Sequence, residues 1–166
     1  MKPGPVPGFL ISKNQTFKAL SMSVRSAYDQ ELLNRGYQAD PAQLRAVEAL
    51  ERCAQEWAAY QESIKSPFRF LKKKPELPRG VYMFGGVGRG KSFLMDCFYN
   101  AVPVQDKTRL HFHEFMREVH RELALMQGTV NPLDELGRRM AKRYQLICFD
   151  EFHVADITDA MILHRL

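Results

Sequence analysis

Long apolar runs are missing from this 166-residue chain, whose longest span only a few residues, as in Leu146-Ile147-Cys148-Phe149. A membrane-spanning helix needs roughly 20, so no transmembrane segment is expected. Cysteine is scarce: Cys53, Cys97 and Cys148 are odd in number, widely spaced and set in apolar patterns. That argues against a disulfide framework or a CxxC metal site and fits a reducing compartment. An apolar signal segment is missing as well, because Pro3, Gly4, Pro5, Pro7 and Gly8 interrupt the stretch after Lys2. A cytoplasmic protein is the expectation.

What remains is ordinary globular material, 45% hydrophobic and 26% charged. The net charge of +5 is unevenly spread. Residues 81–166 balance 11 basic against 11 acidic side chains, whereas Lys65, Arg69, Lys72, Lys73, Lys74 and Arg79 face Glu76 alone. The surplus therefore lies in one segment.

The Pro- and Gly-rich residues 1–13 read as an extended arm. Phe17, Leu20, Val24, Tyr28 and Leu32 or Leu33 recur at helical spacing, predicting a helix over residues 16–34 with Gly36 as its stop. A second helix is predicted from an Asp40 cap and Pro41 to about Ile64, with Leu44, Val47, Leu50, Ala54, Trp57 and Ala58 on one face. Pro67, Pro75 and Pro78 then break secondary structure around the basic stretch. Beyond them short apolar strands alternate with helices. Strands are predicted at residues 81–84, 109–112 and 145–149, the last buried on both faces. Helices are predicted at 91–100, at 114–126 with Phe115, Val119, Leu123 and Met126 on one stripe, after Asn131-Pro132, and after an Asp156 cap. The expected division is an extended N-terminus and helical arm (1–64), a basic linker (65–79) and an α/β core with a parallel sheet (80–166).

Gly85-Gly86-Val87-Gly88-Arg89-Gly90-Lys91-Ser92 fits the pattern GxxxxGK[ST] and stands between a predicted strand and a predicted helix. That setting aims backbone N–H groups and a helix N-terminus at phosphate oxygens, and glycine keeps β-carbons out of the anion's way. Lys91 would reach the β and γ phosphates of a nucleotide, and the Ser92 hydroxyl would ligate Mg²⁺. The strand ending in Asp150-Glu151 would carry two carboxylates to the C-terminal edge of the sheet, where α/β proteins bind ligands. Asp150 suits the Mg²⁺ shell through water, and Glu151 suits activation of the attacking water.

Pro78-Arg79-Gly80 leading into this loop, His111-Phe112-His113-Glu114-Phe115-Met116 with Val119-His120, and Cys148-Phe149-Asp150-Glu151-Phe152 with Asp156-Ile157-Thr158-Asp159-Ala160-Met161 together resemble the ZapE family of bacterial cell-division ATPases. Eukaryotic relatives of that family are mitochondrial AAA-type ATPases. The resemblance runs from about Tyr37 to Leu166. It implies an AAA-type P-loop NTPase fold and Mg-dependent ATP hydrolysis that remodels a protein partner, with the division-ring tubulin homologue as the bacterial candidate. It also implies a homo-oligomer in the full-length form, in which an arginine completes a neighbour's site. Family members continue past the acidic strand with a strand bearing a polar sensor residue, a further strand and that arginine, whereas this chain stops one helix after Asp150-Glu151. The sensor strand would lie between residues 81–84 and 145–149. The expectation is thus a sheet incomplete at the C-terminus, with little hydrolysis by these 166 residues alone.

Weaker signals have competing readings. His111, His113 and His120 invite a metal, but their contexts differ and no fourth ligand is spaced to join them. Phe115 and Met116 could face a substrate chain, although the helical period of Phe115 with Val119 favours the core for Phe115. The basic linker could hold an anionic partner, either nucleic acid or lipid, or be a solvated loop. Gln43 could face an adenine or simply solvent. Two rivals to the remodelling ATPase stay open: a nucleic-acid-stimulated ATPase or helicase-loader relative, and a non-hydrolysing fragment that binds nucleotide or a partner. A small-molecule P-loop kinase is disfavoured by Glu151 and by the lack of an arginine-rich lid segment.

Overall fold

The computed structural model describes residues 22–67, 75–154 and 156–166. Helix α1 (Val24–Arg35) starts where the Ser23 hydroxyl accepts from the Ser26 backbone N–H, and it stops at Gly36, whose φ of 66° only glycine adopts without cost. Ser23 caps it directly before Val24, and the earlier part of the predicted helix, with Phe17 and Leu20, lies outside the described residues. Of the two candidate leucines, Leu32 is buried and Leu33 exposed. Helix α2 (Pro41–Lys65) follows its predicted signals, with the Asp40 carboxylate accepting from Ala42 N–H and Pro41 in the first turn. It takes in Lys65, the first residue assigned to the basic linker; residues 68–74 of that linker lie outside the described ones.

Helix α3 (Lys91–Ala101) opens directly from the glycine loop. Strand β1 (Lys107–His111) passes without a loop into helix α4 (Phe112–Leu125), so Phe112 is the first residue of the helix and not the last of the strand. There it packs edge-on against Phe149, with 5.8 Å between ring centroids. Helix α5 (Pro132–Arg143) leads to strand β2 (Leu146–Asp150). Helix α6 (Ile157–Arg165) is capped by Asp156 accepting from Thr158 N–H.

β1 and β2 pair in parallel, from Lys107 opposite Leu146 to His111 opposite Asp150. Side chains of a strand alternate between faces, and β2 uses both. Cys148 and Leu146 join a core formed with α1, α2 and α3, around Val24, Tyr28, Val47, Trp57 and Phe98. Ile147 and Phe149 join a second core with α4, α5 and α6, around Phe112, Phe115, Val119 and Ile162. The expected burial on both faces is therefore met by two separate cores.

One predicted element does not form. Residues 81–84 are not a strand: among the described residues the sheet has only β1 and β2, and a strand exists through its ladder partner. The segment is held by other contacts. The Cys53 thiol bonds to Arg79 O at 3.5 Å, Met83 packs on the first core, and the Tyr82 ring meets Phe152 at 6.0 Å. Tyr82 and Phe84 remain exposed.

Candidate functional site

The glycine loop turns through left-handed backbone at Gly88 (φ 76°) and Gly90 (φ 81°), conformations that side chains disfavour by about 1–2 kcal/mol. Gly90 ends the loop as the N-cap of α3. Among the described residues, no backbone N–H from Gly85 to Phe93 donates to a protein acceptor, so a row of donors is left at the helix N-terminus. Lys91 curls back over the loop, its Nζ donating to Gly85 O and Gly86 O, both at 2.8 Å. An ammonium has three donors, and this geometry uses two. Val87 is fully exposed, and Arg89 extends from the loop to Asp40 at 3.0 Å.

The start of α2 is clasped to the loop. Gln43 Nε2 donates to Arg89 O at 3.1 Å, and its Oε1 accepts from the Tyr28 hydroxyl at 3.0 Å. Both ends of this amide are thereby used on protein groups, which answers the choice between adenine and solvent with a third role. Tyr28 is fully buried, so the clasp is anchored in the first core. Only Gln43 carried any hint in the sequence, as a polar residue at the start of a helix; the spacing from Tyr28 to Arg89 carries none.

Asp150 closes β2 as a buried carboxylate. Arg109 on β1 donates from Nε to Asp150 Oδ2 at 2.6 Å and from Nη1 to Asp96 Oδ1 on α3. The hydrogen bond to Asp150 and the charges of both acids push the arginine's pKa up, against the cost of its burial. Asp96 stands four residues after Ser92 and so on the same face of α3. Asp150 is thus linked through Arg109, a residue that the motifs did not include, to the face of α3 that carries Ser92. Glu151 follows Asp150 with a φ of 52° and an exposed side chain. Left-handed backbone at a non-glycine residue is uncommon and costs energy that the surroundings must offset.

The histidines do not converge on a metal. His120 Nε2 pairs with Asp159 at 2.7 Å, tying α4 to α6, while the His111 and His113 rings lie 5.8 Å apart. Among the described residues no group of three or more His, Cys, Asp or Glu side chains is gathered as a metal cage. Phe115 and Met116 are both buried in the second core, as the period of Phe115 with Val119 indicates for the first of them. No described helix is long and apolar enough to cross a membrane.

These features define a mixed α/β protein: a short parallel sheet between helical layers, with a glycine loop opening one helix. The chain belongs to the AFG1-like ATPase family, which it matches over residues 22–166. It is 42% identical over 137 residues to the cell division protein ZapE of Escherichia coli, an alignment covering 82% of this chain and 33% of that protein. It is 33% identical over 173 residues to an uncharacterized protein of Schizosaccharomyces pombe, covering 84% of this chain and 38% of the other. It is 41% identical over 104 residues to lactation elevated protein 1 homolog B of Danio rerio, covering 56% and 21%. The chain thus spans about a third of the length of the first of these relatives. No solved structure matches it. The resemblance read from the motifs is borne out at the level of the family.

Proposed function

We propose that the chain carries the nucleotide-binding part of an Mg-ATP-dependent P-loop ATPase that remodels a protein partner, with its place in cell division. The observation that carries this reading is the row of backbone N–H groups from Gly85 to Phe93 without an acceptor among the described residues, set beside Lys91 and Ser92 at the start of α3. Such a terminus attracts an anion through its N–H groups and through the helix dipole. Room for a triphosphate is consistent with the glycines, since a β-carbon on Gly85 or Gly88 would meet nothing within 4 Å. The division assignment rests on the printed name of the Escherichia coli relative. The division-ring tubulin homologue is the partner proposed for the remodelling step.

In this reading Gly85, Gly86, Val87, Gly88, Arg89 and Gly90 line the phosphates with backbone N–H groups. Lys91 exchanges its two loop carbonyls for β and γ phosphate oxygens, a charge-assisted contact stronger than the one it leaves. Mg²⁺ takes hard oxygen ligands, keeps several waters and needs only one or two carboxylates. The Ser92 hydroxyl and the Asp150 carboxylate fit that requirement without a cage of acids. When bound, Mg²⁺ supplies charge stabilisation for the transferred phosphoryl group. Glu151, exposed just past the end of β2, orients and deprotonates the attacking water.

The test is binding of Mg-ATP by calorimetry. Lys91→Ala should abolish it, since the triphosphate loses its main side-chain cation while the backbone loop remains. Equal affinity in the variant and the parent would defeat the reading.

A further inference from the structure

We propose that Arg109 is a positioning residue for the Mg²⁺-binding carboxylate, a role that rests on the reading of Asp150 given above. The inference comes from a three-element junction: β1 provides the guanidinium, β2 provides Asp150 and α3 provides Asp96. The Asp150 side chain is 12% exposed, that of Arg109 28% and that of Asp96 49%. Asp150 is therefore the dry end of the junction and Asp96 the wet end. A carboxylate so poorly hydrated needs a neutralising partner, and among the described residues Arg109 is the cation paired with it.

The geometry does more than neutralise. Arg109 Nε donates to Oδ2 and so restricts the rotation of the carboxylate; in this proposal Oδ1 is the oxygen that meets a metal-bound water. Its other arm, Nη1, reaches Asp96 on the face of α3 that carries Ser92 one turn earlier. One planar fork thus sets both the angle of Asp150 and its distance from the helix that carries Ser92. A lysine has no second arm at a fixed angle and could satisfy only one acid at a time. Outer partners of metal ligands act in this way, and losing one commonly weakens metal binding about 10- to 100-fold.

The measurement is the Mg²⁺ dependence of ATP binding by the 166-residue chain, followed as the anisotropy of a fluorescent ATP analogue in EDTA and across a Mg²⁺ titration. Arg109→Met should raise the Mg²⁺ concentration for half-saturation about 10- to 100-fold while leaving affinity in EDTA nearly unchanged. Arg109→Lys should fall between the variant and the parent. A merely structural role would lower both affinities together and would not move their ratio. Asp150→Asn separates the two ideas. If it leaves the Mg²⁺ titration unchanged, the reading of Asp150 fails; if it shifts the titration and a folded Arg109→Met does not, the positioning role alone is overturned. Should both Arg109 variants fail to fold, Asp96→Asn loosens the fork from its exposed end. A shift in the same direction supports the role, and an unchanged titration overturns it.

Discussion

Gln43 and Gly90 lie so close that a methyl group placed on Gly90 would stand 2.6 Å from the Gln43 amide nitrogen. The two residues belong to different parts of the chain, one at the start of α2 and the other at the N-cap of α3. Their contact makes the helical arm part of the wall of the glycine loop. The Gln43 amide cannot easily retreat, because it is bonded at one end to Tyr28 and at the other to Arg89 O.

Gly90→Ala should accordingly destabilise the chain by about 1–3 kcal/mol, combining the cost of left-handed backbone with the loss of a side-chain hydrogen bond. Gly86→Ala should cost far less stability, since its β-carbon would meet only an Arg89 side-chain carbon at 4.0 Å. Urea unfolding of the two variants side by side checks the difference. Equal midpoints would mean that the clasp does not hold the loop in solution.

Glu151→Gln should keep ATP affinity while lowering turnover about 10²- to 10⁴-fold, the usual worth of a positioned base. The comparison belongs in any preparation of the protein that hydrolyses ATP, with nucleotide binding and phosphate release measured on the same sample. An unchanged rate would leave Glu151 as an acid at the end of a strand and would require another origin for its left-handed backbone.

The three cysteines make stability depend on pH in the alkaline range. Burial pushes Cys97 and Cys148 from the ordinary 9.0 up to about 11, and it raises Cys53 as well. A thiol whose pKa is higher in the folded state contributes fully below its unfolded value and loses that contribution as pH rises toward the folded one. Each unit of separation is worth about 1.4 kcal/mol. Lys107, whose pKa burial lowers, works in the opposite sense, but three thiols and Tyr99 outnumber it. The urea midpoint should therefore fall between about pH 9 and 11, and Cys148→Ala should flatten the decline. In the folded chain at neutral pH the thiols should react slowly with iodoacetamide, and in urea quickly.

Much of the architecture was legible along the chain. The Asp40-Pro41 start of α2, the Asp156 cap of α6 and the stripe of Phe115 and Val119 in α4 depend on neighbours within a turn or two, and all three stand where their spacing puts them. Residues 81–84 have a strand's composition but no ladder partner among the described residues, in keeping with the gap expected between them and residues 145–149. Phe112 went to α4 for a related reason, its ring being held by Phe149 across the sheet.

The amino-acid sequence by itself determined the glycine loop, the lysine and serine that follow it, the acidic end of β2 and the family to which they point. Those features are local: a turn that only glycine accepts, a helix that starts after it, and an apolar run that ends in a charge. Only the tertiary structure decided that Tyr28 and Gln43 brace the loop and that Arg109 holds Asp150 against α3. These contacts join residues between 15 and 46 positions apart. No periodicity records them, because a hydrogen bond across a core depends on where helices and strands dock and not on the spacing within either one.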